Sequence, residues 1–136
     1  MVMKKSSYAV YNINYHLVWC PKYREGILHG EVATFVSQCI ETIAATKSWE
    51  IIELRIMPDH IHLFISCPPF DSPTSIIKIL KGTTALRVFK RFPELHQRLR
   101  KGNLWSPSYY VGTAGHVSAQ TIQRYIQEQG SDSSTE

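Results

Sequence analysis

Two histidines separated by one residue are the clearest candidates for chemistry in this sequence. His60 and His62 begin the run His-Ile-His-Leu-Phe-Ile-Ser, which is typical of a β-strand buried on one face. Because side chains alternate along a strand, both imidazoles should point away from Ile61, Leu63 and Ile65. Two imidazoles on one face can bind a divalent metal ion, although for a His-x-His pair taken alone the favoured interpretation is two polar residues on a solvated face. The spacing alone leaves both interpretations open.

A tyrosine near the end of the chain could supply a nucleophile. Tyr125 lies in a predicted helix with Glu128 and Gln129, and residues three and four apart share a helix face. A phenol is a competent covalent nucleophile when the charge on its target is stabilised. A metal held by two imidazoles and one amide or carboxylate oxygen keeps positions open for that task. From this helix alone, a packing residue of an amphipathic helix is the favoured interpretation of Tyr125.

The elements that must position these residues alternate between strands and helices. Periodicity, prolines and a capping residue at Ser72 predict their bounds. In order, we expect a strand over 11–20, a helix over 31–46, a strand over 49–57, the histidine strand, a helix over 73–91, a short helix over 94–101, a strand over 109–113 and a helix over 118–130. Within 49–57, alternation predicts Ile52, Leu54 and Ile56 inward and Arg55 on the histidine face.

This order predicts an α+β fold, a ferredoxin-like or RRM-like antiparallel sheet with helices on one face. The other face is expected to be open, and RRM modules bind nucleic acid on that face. The C-terminal helix is left over from the six-element core. We expect one domain over 1–136, with a sheet-and-helix core over 8–113, the tyrosine helix over 116–130 and a disordered tail over 131–136.

Composition indicates a basic globular chain. Its 136 residues are 43% hydrophobic, enough to build a core, and the formal net charge is +4. Lys and Arg concentrate between residues 78 and 101, which is typical of either a phosphate-binding surface or a solvated one. Three widely spaced cysteines in apolar runs indicate reduced thiols of a cytoplasmic protein. No apolar run is long enough to cross a membrane.

Four ordered blocks of the sequence resemble a known family. They are Tyr-His-Leu-Val-Trp-Cys-Pro-Lys-Tyr-Arg at 15–24, Met-Pro-Asp-His-Ile-His at 57–62, Trp-Ser-Pro-Ser-Tyr-Tyr-Val-Gly-Thr-Ala-Gly at 105–115 and Thr-Ile-Gln-Arg-Tyr-Ile-Gln-Glu-Gln at 121–129. The family is the single-tyrosine HUH transposases of the IS-two-hundred/IS-six-hundred-five kind. The resemblance runs from Tyr15 to Gln129 without a large insertion.

The resemblance implies a DNA transposase that cleaves and rejoins single-stranded transposon ends through a 5′-phosphotyrosine, with no need for ATP. Tyr125 matches the nucleophile, and His60 and His62 match the metal-binding pair. Gln129 matches the residue that completes the metal site, and Glu128 is its rival. The implied cofactor is Mg²⁺ or Mn²⁺.

The resemblance also implies partners. It predicts single-stranded DNA with hairpin ends and a homodimer in which the tyrosine helix often completes the partner's site, for which Gly112 and Gly115 would suit a hinge. The residues chosen as DNA contacts are Lys22, Tyr23, Arg24 and Arg55. Lys78, Lys81 and Arg87 could be groove contacts or a solvated surface. His16 could be a partner of the metal ligands or a satisfied buried histidine.

Three alternative functions remain at this point. One is a domesticated relative that nicks palindromes, and a second is a replication-type nickase. The third is a non-catalytic module that binds single-stranded nucleic acid, for which the metal and Tyr125 would be dispensable.

Overall fold

The computed structural model describes residues 3–5, 8–113 and 119–130, and in the last of these ranges it describes the side chains of residues 124–129. The strands are β1 (Lys4–Lys5), β2 (Val10–Tyr11), β3 (Asn14–Trp19), β4 (Glu50–Met57), β5 (His60–Ser66) and β6 (Tyr110–Gly112). The helices are α1 (Gly30–Lys47), α2 (Pro73–Arg91), α3 (Glu94–Arg98) and α4 (Ala119–Gly130), with a 3₁₀ turn, η1, at Lys22–Arg24.

The main sheet has the strand order β4-β5-β3-β6, and each neighbouring pair is antiparallel. With α1 between β3 and β4 and α2 between β5 and β6, this is the predicted ferredoxin-like arrangement. Side chains of both helices pack with one face of the sheet in a single core, which includes Leu17, Leu63, Ile40 and Leu80, each fully buried. The α+β prediction is confirmed.

Local sequence signals set the ends of α2. The side chain of Ser72 accepts a hydrogen bond of 3.0 Å from the backbone N–H of Ser75, and Pro73 opens the first turn. The helix ends at Arg91, two residues before Pro93, as predicted. The next helix is shorter than predicted, because Arg100 and Lys101 adopt φ of 58° and leave the helical conformation before Gly102.

A β-bulge changes the predicted phase of β4. Ile51 pairs with Ile65 and Glu53 pairs with Phe64, so Ile52 is an extra residue between two pairs. Ile52 is consequently 39% exposed, and Ile51 packs against the core in its place. The prediction that Ile52 points inward is therefore wrong, although Leu54 and Ile56 do pack against the core.

The face expected to be open is partly covered by α4. Val18 and Cys20 are fully buried and form a second, smaller cluster with Tyr125, against which Tyr110 and Ile126 also pack. The last helix thus has a core of its own on the second face of the sheet. Sequence reasoning missed this because the part of the chain around β3 contributes only two apolar side chains to that face, Val18 in β3 and Cys20 just after it.

Two further features concern the ends of the chain. Lys4–Lys5 pairs with Val10–Tyr11 as a separate two-stranded sheet. The predicted hinge glycine Gly115 and the predicted tail over 131–136 lie outside the described residues. In the part of the chain that is described, no helix combines the length and apolar character needed to cross a membrane. The three cysteines are buried and unbridged, as predicted.

Candidate functional site

The histidine pair lies where strand alternation places it. Ile61, Leu63 and Ile65 are fully buried in the core, and His60 and His62 project from the other face of β5 as half-buried side chains. The pair is therefore accessible on the sheet face that also receives α4.

Asp59 orients the first histidine. Its Oδ1 lies 3.0 Å from Nδ1 of His60, so the Nδ1–H of a neutral ring donates to the carboxylate and Nε2 is left to bind an ion. The other oxygen, Oδ2, lies 3.6 Å from Nε of Arg24. A carboxylate behind an imidazole in this way is the usual support of a metal-binding histidine.

The second histidine contacts His16. Nε2 of His62 lies 3.3 Å from Nδ1 of His16, whose ring stacks on Phe64 with centroids 4.0 Å apart. Burial lowers the pKa of His62, and His16 adds to this lowering. His62 is thus kept neutral, which is the protonation state that binds a metal. His16 is 6% exposed, so it is both buried and adjacent to a candidate ligand.

These donors fit a divalent metal ion with one further protein ligand. Among the described residues, no group of three or more His, Cys, Asp or Glu side chains comes together as a metal site. Two imidazoles and an amide oxygen bind Mg²⁺ or Mn²⁺ with lower affinity than a set of carboxylates would. They leave coordination positions open for phosphate oxygens of a substrate.

Tyr125 reaches the same face of the sheet from α4. It packs against Val18 and Cys20, and Val18 is the direct cross-strand neighbour of His62. The residue is 9% exposed, and its hydroxyl donates a 3.0 Å hydrogen bond to the carbonyl oxygen of Ser108. The predicted nucleophile and the predicted metal ligands therefore meet on one face.

The two candidates for the third ligand differ in burial. Gln129 is 7% exposed, and its Oε1 accepts a hydrogen bond from the hydroxyl of Ser106. Glu128 is exposed on the outer surface of α4. The geometry favours Gln129. To bind an ion, its Oε1 would have to give up the hydrogen bond from the Ser106 hydroxyl. The assignment of Gln129 as third ligand stays a prediction.

The residues predicted to contact DNA occupy different environments. Arg55 is 66% exposed and lies opposite His62 in the register of β4 and β5. Arg24 is also exposed, and its Nη1 donates to the carbonyl oxygen of Ile126 at 3.4 Å. Tyr23 is half-buried, but Lys22 is only 4% exposed, with its Nζ 5.8 Å from the Tyr23 ring. Contact with DNA at all four positions stays a prediction.

Sequence reasoning missed the supporting residues of this site. Asp59, Ser106 and Ser108 stood out in the sequence only as parts of the matching blocks. The signal for Asp59 was present, because it directly precedes His60 at a tight turn. For the two serines no signal existed, since their partners on α4 are brought to them only by the fold.

Comparison with known proteins gives consistent results. A family model described as IS200-like transposase matches residues 9–129. The ISDra2 transposase TnpA of Deinococcus radiodurans is 42% identical over 93% of this chain and 91% of its own length. The transposase for insertion sequence element IS200 of Salmonella typhimurium is 33% identical over 93% of this chain and 82% of its own length.

Solved structures agree with these matches. A crystal structure of a Deinococcus radiodurans R1 protein superposes with a TM-score of 0.86 at 40% identity, covering 93% of this chain and 98% of that one. A REP-associated tyrosine transposase bound to a REP hairpin superposes with a TM-score of 0.55 at 14% identity, covering 90% of this chain and 68% of that one. The second likeness is one of fold.

Proposed function

This chain belongs to the IS200-like transposases, and from that premise we propose that it cleaves and rejoins single-stranded DNA at transposon ends through a bond between Tyr125 and a 5′ phosphate. The observation that carries the proposal is the packing of Tyr125 on Val18, the cross-strand neighbour of His62. A covalent nucleophile and a pair of imidazoles on one sheet face are the parts this chemistry needs.

The proposed cleavage is a displacement at phosphorus. The phenolic oxygen of Tyr125 bonds to the phosphorus while the bond from phosphorus to the 3′ oxygen of the upstream nucleotide breaks. The proton lost by the phenol is balanced by the one gained at the leaving oxygen, which becomes a 3′ hydroxyl. In the rejoining step another 3′ hydroxyl attacks the phosphotyrosine and regenerates the phenol. The phosphotyrosine conserves the energy of the broken bond, so no ATP is required.

The remaining chemistry is stabilisation of charge on the phosphate. His60, His62 and the amide oxygen of Gln129 would hold Mg²⁺ or Mn²⁺, which when bound polarises the phosphodiester and stabilises the leaving oxygen. Asp59 holds the His60 ring at 3.0 Å in the orientation this requires. Ser108 accepts the phenolic hydrogen bond of Tyr125 and holds the hydroxyl in place before substrate arrives.

We further propose that the DNA substrate is a hairpin-bearing single strand and that the protein acts as a homodimer. Arg55, exposed beside His62, is placed to contact a strand that crosses the metal site. In this chain α4 packs on its own sheet, so a site completed by the partner subunit would require Tyr125 to leave Val18 and Cys20. Light scattering at micromolar concentration tests the dimer, which a monomeric mass would contradict.

The experiment that tests the reaction uses oligonucleotides that tile the DNA on both sides of the coding sequence. Each is prepared with a label at the 3′ end or at the 5′ end and incubated with protein and MnCl₂. A 5′-phosphotyrosine predicts that the 3′ label migrates with the protein on a denaturing gel, while the 5′ label appears in a shortened free fragment.

The matched variants are Tyr125→Phe and Tyr109→Phe. Each removes one tyrosine hydroxyl that makes a hydrogen bond, to the Ser108 carbonyl and to the Thr74 hydroxyl respectively. Tyr125→Phe should abolish the protein-bound label, and Tyr109→Phe should retain it. Protein-bound label that survives Tyr125→Phe would disprove the assignment of the nucleophile.

A further inference from the structure

The segment between α3 and β6 is held on one side by α2. Nζ of Lys81 donates hydrogen bonds to the carbonyl oxygens of Ser106, at 2.7 Å, and Ser108, at 3.2 Å. One turn further along α2, the hydroxyl of Thr84 accepts a 2.9 Å hydrogen bond from Nε1 of Trp105. We call residues 105–108 the serine segment.

The same segment is held on its other side by α4. The hydroxyl of Tyr125 donates to the carbonyl oxygen of Ser108, and the hydroxyl of Ser106 donates to Oε1 of Gln129. The Ser108 carbonyl therefore accepts from both Lys81 and Tyr125. The backbone N–H of Ser106 also donates to the carbonyl oxygen of Cys20 at 2.9 Å, which fixes the segment to the end of β3.

These contacts range from buried to exposed: the Trp105–Thr84 and Ser106–Gln129 hydrogen bonds are buried, and the Lys81–Ser108 hydrogen bond is exposed. Ser106 and Thr84 are fully buried, and Trp105 is 4% exposed. Burial lowers the pKa of Lys81 to about 8, so the charged ammonium is held at a cost in this position. Lys81 is half-buried, and its ammonium donates to two carbonyl oxygens of the segment against which α4 packs, which offsets part of that cost.

We infer that Lys81 is a positioning residue for the tyrosine helix: through the carbonyls of Ser106 and Ser108 it fixes the surface on which Tyr125 and Gln129 dock. The expected effect of Lys81 on DNA cleavage rests on the proposed function. The docking of α4 on the serine segment does not depend on that function. Loss of the Lys81 contacts should loosen α4 while the sheet and the other helices stay folded.

Cys20 reports on this docking. Lys81 lies close enough to the Cys20 thiol for their charges to interact. A nearby cation favours the reactive thiolate, so loss of the Lys81 charge by itself would not speed alkylation. Cys20 is fully buried in the small cluster with Tyr125, whereas Cys67 is buried in the main core and Cys39 is buried on α1. Alkylation by iodoacetamide, followed by peptide mass spectrometry, measures the accessibility of all three thiols in one sample. The variant is Lys81→Met, and the control is Lys78→Met, which removes an exposed lysine of the same helix.

In Lys81→Met, we expect Cys20 to be labelled at least about tenfold faster than in the wild type, because hydrogen bonds to a charged donor are lost from the docking surface. Cys39 and Cys67 should be labelled at the wild-type rate, and Lys78→Met should behave as wild type. Lys81→Arg should restore slow labelling, since a guanidinium can donate to both carbonyls. Unchanged labelling of Cys20, or equal acceleration at all three cysteines, would overturn the inference.

A second variant tests the contact from the side of α4. Ser106→Ala removes the hydroxyl that binds Gln129 and leaves Lys81 and its carbonyl partners in place, so it should also accelerate labelling of Cys20. Should Lys81→Met fail to fold, unchanged labelling of Cys20 in Ser106→Ala would overturn the premise that the serine segment is the surface on which α4 docks. In the oligonucleotide assay, Lys81→Met should slow formation of the protein-bound label without weakening retention of the same oligonucleotides in a gel-shift assay. If no wild-type adduct forms, the proposed function fails, while the labelling of Cys20 still decides the docking.

Discussion

The carboxylate of Asp59 stands directly behind the ring of His60, with Oδ1 3.0 Å from Nδ1. This contact fixes which nitrogen of His60 carries the proton and which one faces a metal. The pair comes from the turn between β4 and β5, so the residue that orients the ligand and the ligand itself are adjacent in the chain.

Asp59→Asn should therefore weaken binding of Mn²⁺ by about 10–100-fold, the usual effect of losing a carboxylate behind a metal-binding histidine. Isothermal titration calorimetry with MnCl₂ measures the change. Asp71→Asn is the control, because Asp71 accepts a 2.8 Å hydrogen bond from Nε1 of Trp49 away from the site. Equal affinities for the wild type and Asp59→Asn would show that Asp59 does not support a ligand.

Gln129→Ala should lower the affinity for Mn²⁺ more than Glu128→Ala does. Gln129 is buried on the side of α4 that faces the sheet, and Glu128 is exposed. The same titration ranks the two variants, and thermal unfolding without metal checks that both remain folded. The opposite ranking would transfer the third-ligand role to Glu128.

The stability of the protein should rise with pH through the titration of Lys81. Its pKa is lowered by burial from 10.5 to about 8. Between these values the unfolded chain binds more protons than the folded one, so the free energy of unfolding increases as pH rises from about 8 to about 10.5. Below about pH 8 the full cost of the buried charge is present. Urea denaturation across this range should show the wild type gaining stability relative to Lys81→Met, and a constant difference would contradict the shift.

Leu63→Ala should lower the free energy of unfolding by about 2–5 kcal/mol, the range for emptying a well-packed core position. Leu63 is fully buried on the face of β5 opposite the histidines. Leu86→Ala, at a position that is 77% exposed, should change stability by less than about 0.5 kcal/mol. Urea denaturation of both variants measures the contrast, and a similar loss in both would contradict the placement of Leu63 in the core and of Leu86 on the surface of α2.

The sequence was sufficient for the features that depend on local periodicity. Alternation in the histidine strand separated Leu63 from His62 correctly, and Ser72 with Pro73 located the start of α2. The ferredoxin-like order followed from the sequence of elements, because few sheet topologies accommodate it.

The features that were missed depend on contacts between distant parts of the chain. The extra residue at Ile52 is invisible in the sequence, because Ile51 and Ile52 are adjacent and either one could be the apolar side chain that points inward. The burial of Lys22 is equally hidden in the sequence, which shows a lysine in a basic turn. The partners of Tyr125 and Gln129 lie 17 and 23 residues away, and no pattern links them.

Within the described residues, β4 is an outer strand of the four-stranded sheet, and such a strand presents unpaired backbone groups to any second strand. The bulge at Ile52 interrupts its regular ladder near the beginning. A strand added alongside β4 would therefore meet an unbroken row of N–H and C=O groups only from Glu53 to Met57. The extra residue shortens the edge along which two molecules could join strand to strand, and so limits aggregation through this side of the sheet.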